Sequence, residues 1–164
     1  SIDNRGYAHG VAIGDINQDG YPDIYVGNLG KNSLWFNQGD GTFVHVDYLP
    51  DSIEDRFTSS VAIADLNGDR LPELIDVGYV EVTAELLERR GDPQQGRVVD
   101  PLRFQPARDT VWVNVGDGTF RLDRNMLYNR DSSGRGLGVI VGNMDQQPGN
   151  DVYISNDVSS NNLW

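Results

Sequence analysis

Gly10–Val26 reads GVAIGDINQDGYPDIYV: a short apolar run, nine loop positions beginning at Asp15, then a second apolar run. The pattern returns at Ser60–Val77 (SVAIADLNGDRLPELIDV) and at Leu137–Ile154 (LGVIVGNMDQQPGNDVYI). A second half of the unit recurs too. Asn32–Phe43 (NSLWFNQGDGTF) matches Asp109–Phe120 (DTVWVNVGDGTF), and the chain ends within a third copy at Asn161-Asn162-Leu163-Trp164. Self-similarity of this kind is the mark of a repeat architecture.

The register is regular. Asp15 to Trp35 spans 20 residues and Asn143 to Trp164 spans 21, whereas Asp65 to Trp112 spans 47. The second unit therefore carries an insert of about 27 residues, placed roughly at 81–108. Repeats fall at 10–47, at 60–123 with that insert, and at 136–164, truncated. Within the insert, Thr83–Gly91 reads as a short helix, with Glu85 and Arg89 at i,i+4 and Gly91 as its stop. Each unit fits four strands; in the first they run near Val11–Gly14, Asp23–Val26, Ser33–Asn37 and Thr42–Asp47. Asp40-Gly41 and Asp117-Gly118 are hairpin turns in which glycine supplies the positive φ. Four antiparallel strands repeating at about 50 residues predict β-propeller blades. The fold class is all-β: about three blades of an incomplete propeller, or part of a larger assembly. A sandwich of about twelve strands is the competing architecture, and it leaves the near-identical units unexplained.

The loop carries the chemistry. Asp15, Asn17, Asp19 and Asp23 place oxygen donors at positions 1, 3, 5 and 9, the Tyr21 carbonyl supplies position 7, and Gly20 sits at position 6. Alternate side chains of a tight loop point inward, which is the donor spacing that a hard cation requires. Three carboxylates in nine residues repel one another unless a cation lies between them. An EF-hand puts its last ligand at position 12, before a helix; here the last is at 9 and a strand follows. Calcium suits such an irregular cage better than magnesium. The second loop offers Asp65, Asn67, Asp69, the Leu71 carbonyl and Glu73, with Arg70 at position 6, where a positive φ is costly. The third offers Asn143, Asp145, Gln147 and Asp151, only two of them acids, and Pro148 at position 6 forces the turn to reorganise around Gly149. Up to three Ca2+ ions are expected, with affinity falling from the first loop to the third. The alternative is three plain Asp/Asn/Gly turns without an ion. The Asp40 and Asp117 hairpins are read as plain turns.

Composition narrows the function. The chain of 164 residues has a formal net charge of −12, with 20 Asp against only 5 Glu. Nucleic acid and anionic membranes select basic surfaces, so neither is an expected partner. Cysteine is absent, which excludes disulfides and thiolate chemistry. No apolar run approaches the ~18 residues of a membrane span.

The units resemble FG-GAP/VCBS repeats, the calcium-loop blades of integrin-alpha-type propellers. Gly14–Val26 and Asn32–Phe43 carry the pattern, and Gly136–Trp164 is similar to repeats of the cartilage-acidic-protein (ASPIC/UnbV-like) group. Arg70, Glu73, Asn143 and Pro148 depart from it. The resemblance implies a secreted or surface-exposed, calcium-stabilised propeller used in adhesion or recognition, its partner a protein or glycan at the cell surface.

No catalytic constellation is visible. His9 and His45 read as ordinary strand or loop residues, no nucleophile elbow or phosphate loop occurs, and Gly134–Gly138 leads into a strand rather than a helix. A non-enzymatic module is expected. Trp35, Trp112 and Trp164 share one blade position and read as packing between blades, with glycan stacking as the alternative. Arg89, Arg90, Arg97, Arg103 and Arg108 gather in the insert, either as solvated loop charge or as a surface for an acidic partner. Three units do not close a propeller. Two accounts follow: further blades lie outside this sequence, or separate chains associate through open blade edges into a ring, filament or scaffold. A lectin-like or carbohydrate-active propeller is the alternative function.

Overall fold

The three apolar–loop–apolar units fold as three antiparallel blades. The structure is a computed structural model, and it describes residues 6–47, 56–83, 100–116, 118–127, 134–147 and 149–164. The first blade comprises β1 (Tyr7–Gly14), β2 (Asp23–Leu29), β3 (Ser33–Asn37) and β4 (Phe43–Val46). The second comprises β5 (Arg56–Ala64), β6 (Glu73–Glu81), β7 (Thr110–Asn114) and β8 (Phe120–Asp123). The third comprises β9 (Arg135–Gly142), β10 (Asp151–Asp157) and β11 (Asn162–Leu163). Strands pair in chain order within each blade. Equivalent registers recur: Ile24 faces Trp35 across β2–β3, and Leu74 faces Trp112 across β6–β7.

First strands neighbour one another, β1 beside β5 and β5 beside β9. The approach is close enough that a Cβ on Gly10 would meet the Ser60 Cα at 2.8 Å, so only glycine fits there. The pair Leu29–Phe57 and the bond from Gly30 N to Arg56 O (2.9 Å) join β2 to β5. The sheets curl as a half-barrel, the form of an incomplete propeller.

Strand alternation sends one set of side chains to each side of a blade. Ile16, Tyr25 and Leu34 of the first blade pack against Val61, Leu74 and Trp112 of the second. Ile75, Val77 and Val111 of the second pack against Val152 and Ile154 of the third, with Trp164 alongside. Trp112 and Trp164 thus serve the inter-blade packing expected of them, while Trp35 stays half-buried against His45, ring centroids 4.9 Å apart.

The expected helix at 83–91 falls almost wholly outside the described residues, as do Arg89, Arg90 and Arg97. The end of the insert is ordered by the blade: Glu81 N donates to Gln105 O and Ala107 N to Tyr79 O, and Phe104 and Ala107 are buried. Arg103 and Arg108 are exposed. Among the described residues no helix is long and apolar enough to cross a membrane.

Candidate metal centre

All three loops lie at one end of the blades, joining β1 to β2, β5 to β6 and β9 to β10. In the first, each short side chain turns back on the backbone ahead of it. Asp15 Oδ1 and Oδ2 accept the amides of Asp19 (3.0 Å) and Gly20 (2.9 Å). Asn17 Oδ1 accepts from Asp19 N at 3.2 Å, and Asp19 Oδ1 from Tyr21 N at 2.9 Å. Asp23 is fully buried; its two oxygens accept from Ile16 N and Asn37 N, both at 2.9 Å, and pin the loop to β3. Burial raises the Asp23 carboxyl above the usual carboxylate range.

The second loop repeats the scaffold. Asp65 accepts from Gly68 N (2.7 Å) and Arg70 N (2.9 Å), Asn67 from Asp69 N (2.8 Å), and Asp69 from Leu71 N (2.8 Å). Glu73 is fully buried and takes Leu66 N at 2.7 Å, with Asn67 Nδ2 on its other oxygen at 3.2 Å. Burial first, then the neighbouring Asp69 and Asp65 carboxylates, push Glu73 upward. The extra methylene of Glu73 is absorbed without changing the loop.

The third loop is looser. Asn143 Oδ1 accepts from Gln146 N (2.7 Å), Asp145 Oδ1 from Gln147 N (2.8 Å), and Asp151 Oδ2 from both Met144 N (2.6 Å) and Asp145 N (3.1 Å). The Asn143 side-chain amide is spent on the Gln147 carbonyl. Pro148 lies outside the described residues.

Backbone angles explain the sequence differences. Loops one and two each need two left-handed residues, at positions 4 and 6. The first uses Gln18 (φ 60°) and Gly20 (φ 89°); the second exchanges the glycine, with Gly68 (φ 82°) and then Arg70 (φ 74°). The third has Gln146 (φ 66°) at position 4 and Gly149 (φ 116°) at position 7. Position 4 was not legible from the glycine pattern, because no single loop has glycine at both places.

The loops are also tied together. Gln18 Nε2 donates to the Arg70 carbonyl, and Asn150 Nδ2 donates to the Asp65 carbonyl at 2.8 Å. Among the described residues, no group of three or more acidic or histidine side chains converges tightly enough to cage a metal. Their oxygens are turned to backbone amides instead. The donor set of loops one and two still fits a hard cation by chemistry, with carboxylates at positions 1, 5 and 9 and an amide oxygen at 3. The third offers carboxylates only at 3 and 9 and fits poorly.

The hairpin turn at Asp40-Gly41 is present: Gln38 N donates to Thr42 O at 2.9 Å and Gly41 has φ 86°. Thr42 donates both its amide and its hydroxyl to Asp40, which uses that carboxylate as a turn cap. Asp117 lies outside the described residues. His9 is exposed between the rings of Tyr7 and Phe57, at 5.0 and 4.4 Å.

One cluster escaped the sequence reading. Asp76 is fully buried and accepts from Arg56, Tyr25, Trp112 Nε1 (2.7 Å) and Thr110 Oγ1 (3.2 Å), joining two blades. Its signal was an acid at the place where the other repeats carry Val26 and Ile154.

Antiparallel blades of three or four strands, neighbouring along their first strands, define a propeller-like repeat module. Residues 15–75 match the model of the FG-GAP-like repeat, and it is to a repeat of this type that the stretch is similar. No curated protein matches the chain.

Proposed function

We propose that this chain is a non-enzymatic, calcium-stabilised recognition or scaffold module that works outside the cell. The observation that carries the reading is the shared hydrogen-bond scaffold of loops one and two. Asp15 and Asp65, Asn17 and Asn67, and Asp19 and Asp69 hold equivalent amides, although position 6 changes from Gly20 to Arg70. A plain turn needs one such bond; retaining donors at every alternate position is the requirement of a cation loop. Calcium, once bound, would supply the positive charge that offsets the crowded carboxylates. Asp15, Asp19 and Asp23 would hold it in the first loop, and Asp65, Asp69 and Glu73 in the second. Extracellular calcium modules bind with a Kd on the order of 10⁻⁴–10⁻³ M, which suits loops this exposed. Calorimetric titration of the folded chain tests the reading. Two binding events are expected, one lost in Asp15→Ala and the other in Asp65→Ala; heat no greater than that of buffer would overturn it.

A glycan partner has its own supporting feature. At the blade end opposite the loops, Tyr7, His9, Phe57 and Tyr79 form a continuous aromatic row, the last contact 5.5 Å between centroids. Aromatic rows of this kind accept the apolar faces of sugars. Glycan-array binding that disappears in Tyr7→Ala would favour this partner; an array blank at high protein concentration would count against it.

A further inference from the structure

Asn37 and Asn114 hold the same place in blades one and two, each closing a third strand. Each accepts from the glycine amide two residues on, at 3.0 Å. Each also donates to the proline carbonyl of its own loop, Asn37 to Pro22 at 3.0 Å and Asn114 to Pro72 at 3.3 Å. Asn114 makes one bond more. Its Nδ2 donates to the Ile16 carbonyl at 2.9 Å, in the loop of the neighbouring blade. Asn114 is buried, so this bridge between loops one and two is sheltered from water.

The two bridged carbonyls lead straight to the buried carboxylates of the loops. Ile16 N donates to Asp23 Oδ2 at 2.9 Å, and Pro72 directly precedes Glu73. Asp23 and Glu73 are the position-9 acids, and both are fully buried. Ile16 is buried as well, packed with Leu74 and Trp112 of the second blade. On the exposed side Gln18 Nε2 donates to the Arg70 carbonyl, a second tie between the same two loops. Loop one therefore cannot rearrange around Asp23 without disturbing the peptide that carries Glu73.

We propose that loops one and two take up cations cooperatively, with Asn114 as the positioning residue that couples them; this rests on the calcium reading above and extends it. Ordering the ligands of a loop costs conformational entropy, and a link shared by two loops is ordered only once. That cost falls on the first binding event, and the second is tighter. Charge works the other way, because filling one loop weakens the pull of its carboxylates on a second cation. Both loops are exposed, so a Debye length of ~8 Å at physiological salt screens that opposition. The buried hydrogen bonds are not screened. Coupling of this kind is a factor of about five or more, equal in both directions.

Calcium titration by calorimetry at about 0.15 M salt tests this. The product of the two wild-type binding constants is compared with the product of the single constants of Asp15→Ala and Asp65→Ala. A ratio of about five or more is expected, falling to about one when Asn114→Ala is added to all three chains. Gln18→Asn is the milder variant. Asparagine tolerates the left-handed backbone but is too short to reach Arg70, so the ratio should shrink in a chain that circular dichroism shows to be folded. Amide hydrogen exchange gives a readout without metal: Asp15→Ala should speed exchange at Arg70 and Leu71, and should not do so in the Asn114→Ala background. Independent binding in wild type, unchanged exchange in Asp15→Ala, or a ratio that survives both Asn114→Ala and Gln18→Asn would overturn the coupling and leave the calcium reading standing. A folded chain that takes up no calcium would overturn both.

Discussion

Asp109 Oδ1 accepts the Gly78 amide at 2.9 Å, in the place where Asn32 receives Asn28 N and Asn161 receives Asn156 N. The same clamp thus ties the third strand to the second in every blade. In blades one and three its other arm is a side-chain amide that donates to a tyrosine hydroxyl, Asn32 to Tyr25 and Asn161 to Tyr153. The second blade has Ile75 where those tyrosines stand. Asp109 Oδ2 is consequently buried without a hydrogen-bond partner.

Burial pushes the Asp109 carboxyl up to about 7, with Asp76 adding repulsion while Gly78 N and Arg56 oppose the rise. A carboxyl raised on folding binds its proton more tightly in the native state. Its contribution to stability is complete below pH ~4 and is lost as pH rises through ~7, on the order of 4 kcal/mol in all. Urea unfolding of wild type and Asp109→Asn at pH 4, 5.5 and 7.5 checks this. Wild type should weaken relative to the variant as pH rises, and parallel curves would refute it.

Arg70 holds a left-handed backbone at φ 74°, where Gly20 stands in the first loop. Arg70→Gly should stabilise the chain by about 0.5–1 kcal/mol, because a side chain at positive φ costs about that much. Its carbonyl still receives Gln18 Nε2, so the tie between loops survives. Gly68→Ala, at φ 82°, should destabilise by a similar amount. Denaturant midpoints compare the pair.

Asp76 holds a buried guanidinium, two ring donors and a hydroxyl, so removing it strands several groups at once. Asp76→Ala should cost about 3–5 kcal/mol, chiefly by leaving Arg56 buried and unpaired. Arg56→Met with Asp76→Ala should cost less than the two single losses combined, with a coupling above ~1 kcal/mol in a double-mutant cycle. Additive losses would show that the pair does not couple the blades.

The repeats made the fold legible. Period-2 alternation and the Asp-Gly turns placed β3 where it lies and β1, β2 and β4 within a few residues of their ends. β1 and β2 run longer than expected because Tyr7–Ala8 and Gly27–Leu29 continue the ladder past the repeated core. The loops were legible as spacing, and the left-handed position 4 was hidden because Gln18 and Gln146 are unusual residues for that conformation. Least legible was the Arg56–Asp76 network. Its members come from four separate strands, and only the fold brings them together.

Thermal unfolding in calcium, in magnesium and in excess chelator tests the central claim most directly. Each site that binds only the native state adds ~2.7 kcal/mol at a hundredfold excess over its Kd. Calcium should raise the Tm well above the chelator value, magnesium should raise it little, and Asp15→Ala with Asp65→Ala should abolish most of the difference. Equal Tm values in all three buffers, from a sample folded by circular dichroism, would contradict calcium stabilisation and leave the loops as turns.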